Sequence, residues 1–273
     1  MNNNKGFSLV ELLVALAVSS LVLVALGYLI ITGLKLYGRN NAHVEVQSEA
    51  QTTMNLLIDN IMEAQGICIV NPASGVNTDC VLLGDLLIEE SAGSYNAFFK
   101  GNAVVTDIDG IGADGRPLRE MYLVAFPNDD FPEDAGKSGY ARLVNNVSKS
   151  GDNAKGQIAQ EAWEKVLNYV KNELGEEDRI RWLLARYITS CRMEVDRIDA
   201  DYYKETVYYW SGDTEDICYY KEPVTINVEL SLEYDYGSGR ISRTLSDSAA
   251  VRNRLEKVYI GKSGTIYEYN RKK

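Results

Sequence analysis

The sequence is short of the residues on which most enzyme sites are built. It has one histidine, His43, in 273 residues. Any centre that needs two histidines is excluded, H-E-x-x-H metalloproteases among them. There is no P-loop, no dinucleotide fingerprint after a strand and no G-x-S-x-G elbow. Prolines number five and none precedes Pro72, so no proline interrupts a helix ahead of that point. Four cysteines are too few for a disulfide scaffold, and Cys68, Cys80, Cys191 and Cys218 form no C-x-x-C pair. Positive charge is scarce: 28 Lys and Arg stand against 39 Asp and Glu, a net charge of −11. That balance argues against nucleic acid as a main partner. The one short basic run, NRKK at the end, reads as a solvated tail. Glu176 and Glu177 are adjacent, but adjacency in an acidic chain is not a glycosidase pair. No catalytic constellation is left, and the chain reads as a non-enzyme.

What is present is a long apolar run near the start. From Leu12 to Leu34 there is no charged residue. At about 1.5 Å per residue this is about 35 Å of helix, enough to cross a bilayer core of about 30 Å. The run is too long for a cleaved secretory signal, and no small-x-small cleavage site follows it. The helical pattern continues instead, with Ala50, Met54, Leu57, Ile58, Ile61 and Met62 on one face. One helix over about 7–63 is predicted, its outer half amphipathic. Glu11 sits at the head of the run. A carboxylate inside an apolar helix costs about 2.5 to 3.5 kcal/mol and needs a partner.

The head of the chain, MNNNKG followed by FSLVELLVALAV, resembles the processing and assembly motif of type IV pilins and pseudopilins. Gly6 precedes an aromatic residue, and Glu11 follows that glycine by five. The resemblance implies cleavage by prepilin peptidase between Gly6 and Phe7, methylation of the new amine on Phe7, and pairing of Glu11 with the Phe7 amine of a neighbouring subunit. It implies other pilin subunits, prepilin peptidase and the cytoplasmic membrane as partners. The chain is then a single-pass membrane protein before assembly and part of an extracellular filament afterwards. It departs from many family members in having no proline inside the apolar helix; Gly27, Gly33 and Gly38 could supply softness there.

The remainder reads as α+β. NAVVTDI and REMYLVAF read as two strands of a hairpin. The connecting DIDGIGADG reads as a turn, because Ile111 and Leu118 stand where a calcium loop needs ligands. Ile158, Ala162, Val166, Val170 and Leu174 share a helix face, aided by Trp163 and Leu167, with Gly175 as C-cap. EEDRIRWLLARYITS reads as a second helix burying Ile180, Leu183, Leu184, Tyr187 and Ile188. Val224, Ile226, Val228, Leu230 and Leu232 alternate with polar residues, as in a strand with one wet face. The tyrosine-rich tract from Tyr202 to Tyr220 reads either as cross-strand pairs of a hairpin or as an adhesive surface.

Helix then strands, followed by helix then strands, suggests a leader at 1–6, an assembly helix at 7–36 and pilin-like domains at 37–150 and 151–273. In a competing topology, strands from 224 onward return to the first sheet and 155–222 is an insertion. The dual organisation resembles a clostridial minor pilin with two pilin-like domains and a structural zinc. That likeness implies Cys68, Cys80, Cys191 and Cys218 as zinc ligands, with two disulfides as the alternative. The expected role is a minor pilus subunit displaying a domain for adhesion to a host or cell-surface ligand. A pseudopilin of a type II secretion or DNA-uptake machine is the other reading.

Overall fold

The computed structural model describes residues 8–69, 78–111, 117–150, 154–197, 202–208, 214–220, 225–236, 239–251, 257–260 and 266–268. The first element, α1 (Leu9–Glu63), is one continuous helix of 55 residues, about 82 Å long at 1.5 Å per residue. Its buried residues are Ala42, Val46, Ala50, Thr53, Met54, Leu57 and Ile61. Steps of three and four keep them on one stripe. Before Ala42 no described residue of α1 is buried.

Strands follow in the order β1 (Gly66–Ile69), β2 (Cys80–Ser91), β3 (Ser94–Ile111), β4 (Pro117–Phe126), β5 (Glu133–Asp134) and β6 (Lys137–Ser148). Two residues with positive φ, Ala92 at 50° and Gly93 at 80°, make the turn between β2 and β3, the left-handed geometry that suits a two-residue hairpin loop. The expected hairpin of β3 and β4 is present, with Val105 opposite Tyr122. The side chains of the connecting DIDGIGADG turn, whose pattern falls short of a calcium loop, lie outside the described residues.

Next come α2 (Ala154–Asn168), a π turn (Tyr169–Glu173) and α3 (Glu176–Trp182). Ile158, Ala162, Val166, Val170, Leu174 and Trp163 are all buried, as their spacing predicts. A repeat of four drifts by about 40° per step on a 3.6-residue helix. The π turn underwinds the last part and brings Val170 and Leu174 back to the same face. Gly175 is the N-cap of α3, not the C-cap of α2.

The predicted second helix is shorter than its sequence suggests. It ends at Trp182, and Leu183–Ala185 forms β7, which pairs with β4 through Met121 and Ala185. Ile180, expected inside, is 77% exposed. Local helix preference yields here to the open edge of β4, where backbone groups gain partners. Tyr187 then turns the chain with φ 61° and meets Tyr234 edge-on at 4.8 Å.

The remaining strands are β8 (Ile188–Arg197), β9 (Tyr202–Tyr208), β10 (Thr214–Tyr220), β11 (Thr225–Asp235), β12 (Arg240–Ala250), β13 (Lys257–Ile260) and β14 (Ile266–Glu268). A nine-stranded sheet runs β14-β13-β1-β2-β3-β4-β7, with β6 on β3 and β5 on β6. Among the described residues its one parallel pair joins β13 to β1, Gly66 opposite Lys257. A second sheet has the order β12-β11-β8, and β9 pairs with β10 as a hairpin. Of the strands after 224, β13 thus returns to the first sheet, while β11 and β12 build on β8.

Alternation along the strands makes two cores. Leu82, Phe99, Val105 and Tyr122 point to the face covered by Ile158, Ala162, Val166 and Trp163 of α2. Ile67, Val81, Leu83 and Val104 point the other way, into a cluster with Val46, Leu57 and Ile61 of α1 and Ile188, Val228 and Leu230 of the second sheet. Helix α1 lies along β11 and β12, and α2 lies on β2, β3 and β6. Residues on both sides of position 150 therefore share each core. The architecture is α+β: a long N-terminal helix with antiparallel sheets, the arrangement of a pilin fold, joined by a second sheet.

Candidate functional site

The chain covers only the outer half of α1 with its own core. Leu9, Leu21, Val24 and Leu29 are between 65% and 77% exposed. From Leu9 to Leu34 the helix is about 39 Å long, long and apolar enough to cross a membrane. An apolar stripe on every side of a helix belongs in lipid or among other helices.

Ser8 starts that helix. It has extended backbone angles, φ −73° and ψ 145°. The Val10 backbone N–H donates to Ser8 Oγ at 3.2 Å, and the Ser8 backbone N–H donates to Glu11 Oε2 at 3.2 Å. This is a complete capping box, in which two amides that the helix cannot satisfy are satisfied by side chains. The Glu11 carboxylate also faces the positive end of the helix dipole. Charge alone points to a cation for Glu11, whereas its partner here is the Ser8 backbone. The signal was there: serine, then glutamate three residues later, at the head of an apolar run. Gly6 and Phe7 lie outside the described residues.

A polar chain ties the covered half of α1 to the sheet. The Arg186 backbone N–H donates to Glu49 Oε1 of α1 at 2.6 Å. The Arg186 guanidinium lies 3.5 Å from Glu120 Oε1. Glu120 accepts a hydrogen bond from the Tyr122 hydroxyl at 2.6 Å, and Tyr122 accepts one from Arg179 at 3.4 Å. The uncovered half thus projects from a helix whose root is fixed.

The family model of the prokaryotic N-terminal methylation motif matches residues 1–27. That match supports a type IV pilin or pseudopilin family. A comparison with curated proteins and one with solved structures each find no match. For a pilin-type subunit the motif implies processing by prepilin peptidase and assembly with other pilin subunits, and it points to a structural protein. Motif and apolar helix together fit a membrane-anchored precursor that assembles into an extracellular pilus.

The cysteines are divided. Cys68 faces Leu82 across the β1–β2 ladder, so Cys80 is its diagonal neighbour on the same face. Both are free thiols in the core under α2. Cys191 is a free thiol in the core under α1. Burial pushes the Cys68 and Cys191 thiols up to about 12. Cys80 is raised by burial first, then by Cys68 and Asp79. Cys218 lies in β10, opposite Lys204; its side chain is outside the described residues. Among the described residues no group of three or more His, Cys, Asp or Glu side chains is placed to hold a metal. The split between two cores does not fit a single four-thiolate zinc centre of the kind the resemblance implies.

On the open face of the second sheet, Arg192, Glu194, Asn227, Glu229, Ser246 and Ser248 line a shallow groove of about 430 Å³. Its arginine is paired with Glu194 at 2.6 Å.

Proposed function

We propose that the chain is a minor structural subunit of a type IV pilus. It is cut between Gly6 and Phe7 by prepilin peptidase and assembles through the apolar half of α1. The observation that carries this is the division of α1: one half clamped into a two-sheet body, the other apolar on all sides and headed by Glu11. Among sister helices, Glu11 meets the Phe7 amine of the neighbouring subunit. A carboxylate is tolerated there because its charge is matched, and removing one partner of such a pair costs about 3 to 5 kcal/mol. The part after 150 then carries the displayed surface, with the tyrosine-rich β9–β10 hairpin as the segment for adhesion to a cell-surface ligand.

The test is to express Glu11→Ala beside the native chain. The variant is expected to insert into the membrane and to be missing from sheared filaments. Equal incorporation of both would remove the pairing scheme. Sequencing of the mature native chain is expected to begin at Phe7. Gold labelling along surface fibres supports a pilus subunit; label confined to the envelope assigns the chain to a pseudopilin role.

A further inference from the structure

Between the apolar span of α1 and the point where the body first covers the helix lies a short exposed collar. It runs from Lys35 to Asn41, and Ala42 is the first buried residue of α1. Lys35, Tyr37, Arg39, Asn40, Asn41 and His43 are all exposed. Each side chain offers a hydrogen-bond donor. No carboxylate occurs on α1 between Glu11 and Glu45. Neither Lys35 nor Arg39 has an ion-pair partner among the described residues. In a chain of net charge −11, two uncompensated cations one turn apart, with donors on several sides of the helix and only Leu36 and Gly38 between them lacking one, stand out from the acidic remainder.

We infer that this collar binds the phosphate groups of anionic phospholipid in the leaflet beneath the soluble body. The inference rests on the reading that α1 spans the membrane before assembly. The length fits: from Lys35 to Asn41 the helix rises about 10 Å, against a headgroup layer of roughly 5 to 8 Å on each side of the hydrocarbon. The chemistry fits, because phosphate and ester oxygens only accept hydrogen bonds while the collar side chains bring donors. Lys35 can run its aliphatic stem along the apolar edge and hold its ammonium among the phosphates. Tyr37 is the aromatic type enriched at that depth.

The arrangement around the helix favours lipid over protein. Lys35, Arg39 and His43, four residues apart, share one side within about 80°. Tyr37 and Asn41 lie on the far side and Asn40 between. A protein partner would engage one side; a headgroup layer surrounds the helix. The cations also offset the repulsion that an acidic body meets above an anionic surface.

The test uses the full-length chain reconstituted in vesicles of phosphatidylcholine and phosphatidylglycerol in equal amounts. Spin-labelled versions of each lipid report which one the protein restrains. The native chain is expected to prefer phosphatidylglycerol, with an upper bound of about fivefold per cation. Molar salt is expected to weaken the preference. The Lys35→Ser/Arg39→Ser variant should lose it, and the Lys35→Arg/Arg39→Lys variant should keep it. Equal restraint of both lipids by the native chain, or a preference retained by the serine variant, overturns the inference. A carbodiimide cross-link from Lys35 to a carboxylate of a second copy in the same vesicles assigns the cations to protein and also overturns it. Carbonate extraction separates the two readings. A chain that resists extraction yet shows no lipid preference refutes the collar alone; a chain that is extracted refutes the membrane-spanning reading as well.

Discussion

The backbone N–H of Ser8 donates to the carboxylate of Glu11, three residues further on, at 3.2 Å. Glu11 thereby has a partner within its own chain before any neighbour arrives. The bond holds the carboxylate back over the first turn, towards the end at which a processed terminus would lie. In a low-dielectric setting a carboxylate with one donor already in place carries less of the burial cost than a bare one.

The capping box yields the first prediction. Ser8→Ala removes the hydroxyl that accepts from Val10 and should cost about 1 kcal/mol of stability in the first turn. Ser8→Thr should lose much less. Amide exchange at Val10 and Leu12 of the full-length chain in micelles reads the effect. Equal protection in all three proteins would mean that the box does not hold the turn.

Neighbouring leucines on α1 separate burial from composition. Leu57 is fully buried and Leu56 is 40% exposed. Leu57→Ala opens a cavity where α1 meets the sheets and should cost about 3 kcal/mol or more. Leu56→Ala should cost less than about 1 kcal/mol. Urea unfolding of the body, followed by tryptophan fluorescence, distinguishes them. Similar costs would mean that the helix is not seated as described.

Periodicity made much of this fold readable before any coordinates. The buried stripe of α1, the face of α2 and the alternation of Ile226, Val228, Leu230 and Leu232 each follow from residues that are neighbours along one element. The failures are non-local. Leu183 to Ala185 look helical until the free edge of β4 is known. The parallel pairing of Gly66 with Lys257 joins ends of the chain that no local pattern connects. Likewise the sorting of Cys68 and Cys80 from Cys191 depends on which core each strand faces, so counting cysteines could not decide it. At the head of α1 the reverse holds: the S-x-x-E pattern is local and legible, and it is capping chemistry, not charge, that gives Ser8 its role.

Gly84 and Gly101 face each other across β2 and β3. A Cβ on Gly84 would stand 2.2 Å from the Lys100 carbonyl oxygen and 2.8 Å from Gly101 Cα. These are backbone atoms and cannot swing aside. Gly101 also has φ 142°, which side chains rarely adopt. Gly84→Val should therefore cost about 3 kcal/mol or more, or prevent folding. Gly93→Asn is the contrast, because its turn position has φ 80° and open space around it; asparagine tolerates that region, so the loss should stay below about 1 kcal/mol. Thermal unfolding of the two variants against the native chain is the measurement, and a Gly84 variant as stable as the native protein would contradict the close approach of the strands.

Alkaline pH tests the buried thiols. The Cys191 thiol ordinarily ionises near 9, and burial raises it to about 12 in the folded chain. Below pH 9 both folded and unfolded chains hold the proton, and the thiol's full contribution is present. Between pH 9 and pH 12 the unfolded chain releases the proton while the folded one keeps it, so stability falls as pH rises. Three units correspond to about 4 kcal/mol at the upper end. Cys68 behaves in the same way for the same reason. Cys191→Ala should lose some stability at neutral pH through lost packing, yet show a shallower decline above pH 9. Urea midpoints of both proteins at neutral pH and at pH 10 to 11 give the comparison. Parallel declines would mean that Cys191 is not a buried, protonated thiol in the folded protein.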